Sequence, residues 1–332
     1  MRELTARGHD VLFLERDVEW YASHRDLSRP PHGRTLLYRS LAELKGRFTG
    51  QIQDADLVIV GSYVPEGADI GEWVTRTARG LTAFYDIDTP VTLAKLARGE
   101  EEYLTRRLVP EYQLYLSFTG GPTLELLEQE YGAPMARALY CSVDPELYYP
   151  ERSEVRWDLG YMGTYSADRQ SGLERLLLEP ARAWPTGRFV VVGPQYPRRT
   201  GWPLNVRRRQ HLPPARHRGF YNAQRFTLNL TRAEMVAAGF SPSVRLFEAA
   251  ACGTPIISDH WEGIETLFQP DSEILLADSS RQVLRWLRDL PDSERVALGE
   301  RARVRVLSQH TAAHRAQELV RYALEALSRQ LI

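Results

Sequence analysis

Ser241-Pro-Ser-Val-Arg-Leu-Phe-Glu-Ala-Ala-Ala-Cys-Gly-Thr-Pro-Ile-Ile-Ser258 reads as a short amphipathic helix that runs directly into a buried strand. Ser243 stands where an N-cap belongs, Gly253 stops the helix, and Thr254–Ser258 carries no charge, as befits a strand covered on both faces. A helix that delivers the chain from one such strand to the next is the repeating unit of a parallel sheet. Its N-terminus would present backbone N–H groups and a positive dipole end, an arrangement that favours phosphate. Arg245 would add a fixed positive charge one turn in, and Glu248 a carboxylate able to accept both hydroxyl protons of a ribose. The plainer alternative is that Arg245 and Glu248 are surface residues three apart on an ordinary helix.

Working outward, the same alternation recurs along the chain. Upstream, VLFLE (11–15), DLVIVGSY (56–63), LTAFYDID (81–88), LYLSFT (114–119) and RALYCSV (137–143) read as strands. YRSLAELKGRF, GADIGEWVTRTA and PTLELLEQEYG between them have helical spacing, the last with Gly132 as its cap. Two prolines between Val143 and Arg152 break the pattern. A second series follows: WDLGYMGTY (157–165), RFVVVGP (188–194), RFTLNLT (225–231), TPIISDH (254–260) and EILLAD (273–278). The expectation is α/β with two Rossmann-like domains, residues 1–148 and 149–308, and a C-terminal helix, 309–332, packing back towards the first. The tail from about Ser293 to Ile332 reads as a long helical stretch with little strand signal. At the other end, Met1–Gly8 reads as a helix leading into the strand at Val11, without the strand and glycine loop that normally precede it, so the first domain is expected to lack its first strand.

A chain of 332 residues suits two such cores, and 43% hydrophobic against 26% charged residues suits a globular protein. No apolar run approaches the roughly 18 residues of a membrane span, and the N-terminus has no apolar signal core, so a cytoplasmic location is expected. Cys141 and Cys252 have no metal-binding or redox spacing and read as buried thiols. The net charge of −1 argues against a nucleic-acid binder, yet between Pro180 and Ala233 eleven arginines occur without one aspartate or glutamate. That stretch, including Arg198-Arg199 and Arg207-Arg208-Arg209, is either a solvated face or one that meets an anion, whether a diphosphate or an acidic membrane surface.

Other residues could carry chemistry. Asp86 and Asp88 lie two apart at a predicted strand end, where both side chains would share a face. Such a pair could chelate a divalent cation, hydrogen-bond to hydroxyls, serve as a general base, or simply close a turn before Pro90. Gly160-Tyr-Met-Gly-Thr-Tyr-Ser-Ala-Asp-Arg169 is a strand followed by a small-residue loop, which lets backbone approach a ligand. His310-Thr-Ala-Ala-His314 has helical i, i+4 spacing but lacks a zincin glutamate, and is expected on a solvated helix face. No Walker loop, GxGxxG fingerprint or Gly-x-Ser-x-Gly elbow is present, which removes support for P-loop, hydride-transfer and hydrolase-elbow chemistry.

Leu246-Phe-Glu-Ala-Ala-Ala-Cys-Gly-Thr-Pro-Ile-Ile257 resembles the donor-site helix and strand of GT-B glycosyltransferases. Glu15-Arg-Asp with Trp20-Tyr21, Phe84-Tyr-Asp-Ile-Asp-Thr-Pro90, Tyr140-Cys-Ser-Val-Asp-Pro145 and Arg245-Leu-Phe-Glu248 resemble, more narrowly, its spore-maturation, CgeB-like branch. The resemblance implies two domains facing across a cleft and a hexosyl-type transfer from a nucleoside diphosphate sugar to an acceptor that the sequence does not identify. It implies no cofactor and no metal. Glu248 would then hold the ribose, Arg245 and the amides near Ser243 the diphosphate, and Gly163, Thr164 and Arg169 would add phosphate contacts. Gly193 with Gln195 would flank the base. Arg245, Asp86 and Asp88 would be the catalytic set, with Ser62, Tyr63, Glu66, Thr119 and Gly120 lining the acceptor side. One departure stands out: the broad pattern has a glutamate eight positions before Glu248, and Phe240 is there instead. A sugar-nucleotide epimerase and a non-catalytic scaffold on the same architecture are the competing readings.

Overall fold

The computed structural model describes residues 1–19, 30–198 and 200–330, and divides the chain into two compact α/β units. One comprises Met1–Tyr140 with the C-terminal segment from Ala312, and the other Cys141–Thr311. Trp20, Tyr21 and Arg199, all used in the sequence reading, lie outside the described residues. Cys141–Tyr148, read from sequence with the first domain, belong with the second. The reason is local: the Cys141 thiol donates to the Pro242 carbonyl, and Val143 bridges to Thr311.

In the first unit β1 (Leu12–Arg16) and β2 (Arg34–Tyr38) form a parallel pair. β3 (Leu57–Gly61), β4 (Leu81–Asp86), β5 (Leu114–Ser117) and β6 (Ala136–Ala138) form a separate four-stranded parallel sheet in sequential order. Leu81, Ala83, Phe84, Leu114, Tyr115 and Leu116 are fully buried, because helices cover both faces. These are α1 (Arg2–Ala6), α2 (Leu41–Asp54), α3 (Gly67–Thr77), α4 (Thr89–Ala97) and α5 (Pro122–Gln129), with the C-terminal helix Ala312–Gln330. α2 starts where the Ser40 hydroxyl accepts from the Glu43 amide, so Tyr38 and Arg39, read as helical, instead finish and follow β2. The C-terminal helix brings Leu319, Tyr322 and Ala326 onto Leu81, Leu114 and Leu116. Arg137 pairs with Glu325, and the Tyr322 hydroxyl donates to the Ala138 carbonyl, which fix its register.

The second unit is a six-stranded parallel sheet: β7 (Trp157–Met162), β8 (Phe189–Val192), β9 (Val206–Arg209), β10 (Gln224–Asn229), β11 (Ile256–Ser258) and β12 (Leu275–Leu276). Its spatial order is β12-β11-β10-β7-β8-β9. Numbered from its own first strand this is 3-2-1-4-5-6, so the chain reverses direction across the sheet between β7 and β10. Around it lie α6 (Ala167–Leu173), which continues through a π-helical turn at Glu174–Leu178 into α7 (Glu179–Ala183), then α8 (His217–Asn222), α9 (Ala233–Ala238), α10 (Val244–Ala251), α11 (Ser280–Asp289) and α12 (Asp292–Gln309). β9 is strand despite its arginines: Arg207 and Arg209 project to the exposed side while the strand pairs in register with β8.

The helical stretch from about Ser293 consists of two helices, α12 and Ala312–Gln330, parted at His310-Thr311. His310 is therefore not on a solvated face. It is buried, with its ring centroid 5.0 Å from that of Phe247, and the i, i+4 relation to His314 is lost where the helix breaks.

Candidate functional site

Parallel sheets with helices on both faces leave their carboxyl edge open, and the crevice forms where strand order reverses. Here that place is the ends of β7 and β10, and Arg245 spans it. Its Nε donates to the Met162 carbonyl at 2.6 Å and its Nη1 to Asn229 Oδ1 at 2.7 Å. Met162 is the last residue of β7 and Asn229 the last of β10. The guanidinium also lies 5.3 Å from the Tyr161 ring centroid. Among the described residues no carboxylate is within ion-pairing distance, and none is hydrogen-bonded to Nη2. A cation pinned by neutral oxygens at a strand-end crevice keeps its charge available for an anion.

α10 delivers Arg245 there because Leu246, Phe247, Ala249, Ala250 and Ala251 bury its other side. Ser243 does occupy the N-cap, but its hydroxyl donates to Asn229 Oδ1 at 2.7 Å instead of capping the helix amides. One turn on, Glu248 Oε2 accepts from the buried Tyr221 hydroxyl at 2.8 Å. Burial, with the Glu248 carboxylate beside it, raises the pKa of Tyr221, and the same causes act on Tyr148. Burial, with Glu248 and Glu151 nearby, pushes the Cys252 thiol up to about 12, so it is an inert thiol. Past it, Gly253 ends the helix in the left-handed conformation.

Gly163 and Gly193 leave β7 and β8 side by side. A Cβ on Gly193 would sit 1.9 Å from the Gly163 carbonyl oxygen, and its φ of +153° is open only to glycine, so the two loops touch backbone to backbone. The Gly163 carbonyl accepts from the Tyr196 hydroxyl at 3.2 Å. Thr164 is exposed, and its carbonyl accepts from Arg169 Nη2 at 2.7 Å, while Arg169 Nε is buried and unpartnered. Arg169 also lines a cavity of about 340 Å³ with Asp168, Arg175, Thr231, Asp259 and His260 at the ends of β10 and β11. Burial raises the Asp259 carboxyl, which accepts from the Thr231 amide and hydroxyl and from Ser258.

In the first unit the expected residues also come from one sheet edge, but with unequal roles. Asp86 ends β4, and because the strand stops there Asp88 is not its same-face partner; it stands at the N-cap position of α4 without a side-chain capping bond. Asp86 is fully buried and accepts from Tyr115 Oη at 2.7 Å, Thr92 Oγ1 at 3.0 Å and the Asp88 amide at 3.2 Å. Burial pushes its carboxyl up to about 6. It has no face for a ligand. Asp88 is half-buried and accepts from the Tyr63 hydroxyl at 2.7 Å. Tyr63 and Glu66 both have left-handed backbone, with φ of 63° and 58°, the kind of local strain that concentrates at functional loops. Ser62 Oγ accepts from the Ile87 amide, Glu66 pairs with Arg16 at 2.5 Å, and Thr119 is buried against Ser117. A Cβ on Gly120 would meet the Tyr140 hydroxyl at 2.1 Å, so the tyrosine side chain packs directly on this backbone.

Residues 169–321, somewhat under half of the chain, match the family described as Glycosyl transferase-like. Sucrose-phosphate synthase from Thermosynechococcus elongatus superposes with a TM-score of 0.69 at 16% identity, over 99% of this chain and 91% of that one. HepE from Anabaena, solved with UDP and glucose, gives 0.67 at 12% identity over 95% and 99%. An alpha-glucosyltransferase solved with UDP gives 0.69 at 11% identity over 97% and 93%. The fold is GT-B. No curated protein sequence matches the chain.

Phe240, where the resemblance expects a glutamate, is packed in place. Its backbone is left-handed at φ 44°, its amide donates to the Glu262 carbonyl, and its ring lies so close over Gly263 that a Cβ there would sit 2.3 Å away. Asn229 and Tyr221, the partners of Arg245 and Glu248, escaped the sequence reading. An asparagine closing the apolar run RFTLN was the available signal for the first; Tyr221, inside a helix, offered none. No group of three or more His, Cys, Asp or Glu among the described residues is arranged to hold a metal ion, and none of their helices is long and apolar enough to cross a membrane.

Proposed function

We propose that this chain transfers a sugar from a nucleoside diphosphate sugar to an acceptor, in the CgeB-like branch of the GT-B glycosyltransferases. The observation that carries the reading is Arg245, held by Met162 and Asn229 at the carboxyl ends of β7 and β10 with Nη2 unpartnered. In this reading the C1–oxygen bond of the donor breaks and the nucleoside diphosphate leaves with the electron pair. Arg245, assisted by Arg169 and the amides around Ser243 and Gly163, takes up the charge that develops on it. Glu248 accepts from the ribose hydroxyls through the carboxylate valence that Tyr221 leaves open. Gly193 and Gln195 bound the base. UDP and UDP-glucose, the ligands of the structural relatives, are the first nucleotides to test.

The acceptor hydroxyl attacks C1 and gives its proton to a base. Asp88 is the better candidate, since Asp86 is sealed in the core. Tyr63 orients Asp88, and Ser62, Glu66 and Thr119 shape that edge. Asp86 then acts through the α4 N-terminus and does not touch substrate.

The reaction belongs in the cytoplasm, where nucleotide-activated sugars are made. The chain also has a basic surface for which an anionic membrane is the proposed counterpart: Arg198, Arg207, Arg209 and Arg216 are exposed and make no ion pair among the described residues, and Leu204 is fully exposed. Co-sedimentation with phosphatidylglycerol vesicles at low salt, absent with phosphatidylcholine, is the expected result; equal recovery with both lipids would refute it.

The deciding experiment is calorimetric titration with UDP. Arg245→Ala should lower turnover more than affinity for UDP-glucose. Wild-type protein that binds no nucleoside diphosphate would sink the donor-site assignment.

A further inference from the structure

We propose that Asn229 is a positioning residue that aims Arg245 at an anion while leaving its charge unspent. The inference rests on the donor-site reading above, but its chemistry concerns only the guanidinium and what holds it.

Asn229 is buried at the end of β10, with all its hydrogen-bonding capacity engaged locally. Oδ1 accepts from Arg245 Nη1 and from Ser243 Oγ, each at 2.7 Å. Nδ2 donates to Ser258 Oγ at 2.9 Å and to Thr231 Oγ1 at 3.3 Å. The amide thus fixes the first turn of α10 and the ends of β10 and β11 as one unit, and Arg245 is its outward-facing member. An aspartate has nearly the same shape and would accept from Arg245 and Ser243 equally well. It would, however, set a buried carboxylate against the guanidinium, and a cation already paired in that way has little attraction left for a diphosphate. The carboxylate of this network, Asp259, feels the Arg245 charge but makes no ion pair with it, its oxygens being taken up by Thr231 and Ser258. Every oxygen holding Arg245 is neutral: a peptide carbonyl, an amide and a hydroxyl.

Inorganic pyrophosphate, which needs neither base nor sugar to bind, is the probe. Wild type should bind it, and Asn229→Asp should weaken binding roughly tenfold or more, as a neutralised cation does in an anion site. The effect should vanish in an Arg245→Met background, because the two residues act as one; a purely structural role would give the same loss in both backgrounds. Should N229D not fold, Asn229→Ala serves in the same cycle: it releases Nη1 and should weaken pyrophosphate several-fold only when Arg245 is present. Undiminished binding by the Asn229 variant, or an equal loss with and without Arg245, overturns the proposal, as does wild type that binds no pyrophosphate. Wild type that takes pyrophosphate but not UDP would overturn the nucleotide reading and leave the role of Asn229 standing.

Discussion

The Tyr221 hydroxyl donates to Glu248 Oε2 at 2.8 Å from a fully buried ring, so the carboxylate is oriented before any ligand arrives. Glu248→Ala should weaken UDP binding roughly ten- to a hundredfold, the usual loss of a charge-assisted hydrogen-bonding pair. Tyr221→Phe keeps the ring and frees the carboxylate, so its loss should be smaller. Titration calorimetry reads both, and equal affinities for wild type and Glu248→Ala would disprove the ribose role.

Tyr63 and Asp88 form the corresponding pair on the edge of the first unit. Asp88→Asn should reduce transfer to an acceptor by roughly a hundredfold, as loss of a general base does. UDP affinity should not change. A variant that loses nucleotide binding in proportion to turnover would show that the residue acts elsewhere.

Asp86 makes stability depend on pH in a defined direction. Burial, its leading influence, raises the carboxyl to about 6 from an ordinary 3.8, although Tyr115, Thr92 and the Asp88 amide pull it down. The folded state therefore holds its proton more tightly than the unfolded chain. That contribution is fully present below about pH 4 and is lost as pH rises through about 6. Measured against Asp86→Asn, the wild-type unfolding free energy should fall by about 2 kcal/mol from pH 4 to pH 7. Denaturant titrations at several pH values would detect it, and a pH-independent difference would rule it out.

Gly193→Ala should be costly. The added methyl would be driven into the Gly163 carbonyl at a backbone angle that only glycine favours, at a cost of about 2 kcal/mol or more. Thermal unfolding should show a lowered transition for the second unit. Nucleotide affinity should fall with it if the displaced Gly163 loop contacts the diphosphate as proposed.

Legibility in the sequence followed from how local each feature is. The strands β4, β8 and β10 and the helix α10 could be read because a parallel strand buried on both faces must be an apolar run, and a helix must alternate its faces. Arg245 and Glu248 could be picked out because helical spacing and a cap set which way each leaves α10. β2 and β9 were missed because their residues, RTLLY and VRRR, owe their strand state to neighbours distant in sequence. The burial of His310 was missed for a similar reason, since the Phe247 ring that covers it comes from far away in the chain.

The amino-acid order sufficed for most of the repeating β-α units and for the helix α10, since hydrophobic periodicity and capping act over a few residues. Which carboxylate of Asp86 and Asp88 can meet a ligand was settled by packing, because Tyr115 and Thr92 close over Asp86 from elsewhere in the chain. The pinning of Arg245 by Met162 and Asn229 was settled the same way, across 83 and 16 residues of sequence. Burial and hydrogen-bond satisfaction depend on which atoms share a volume, and chain order alone does not specify that.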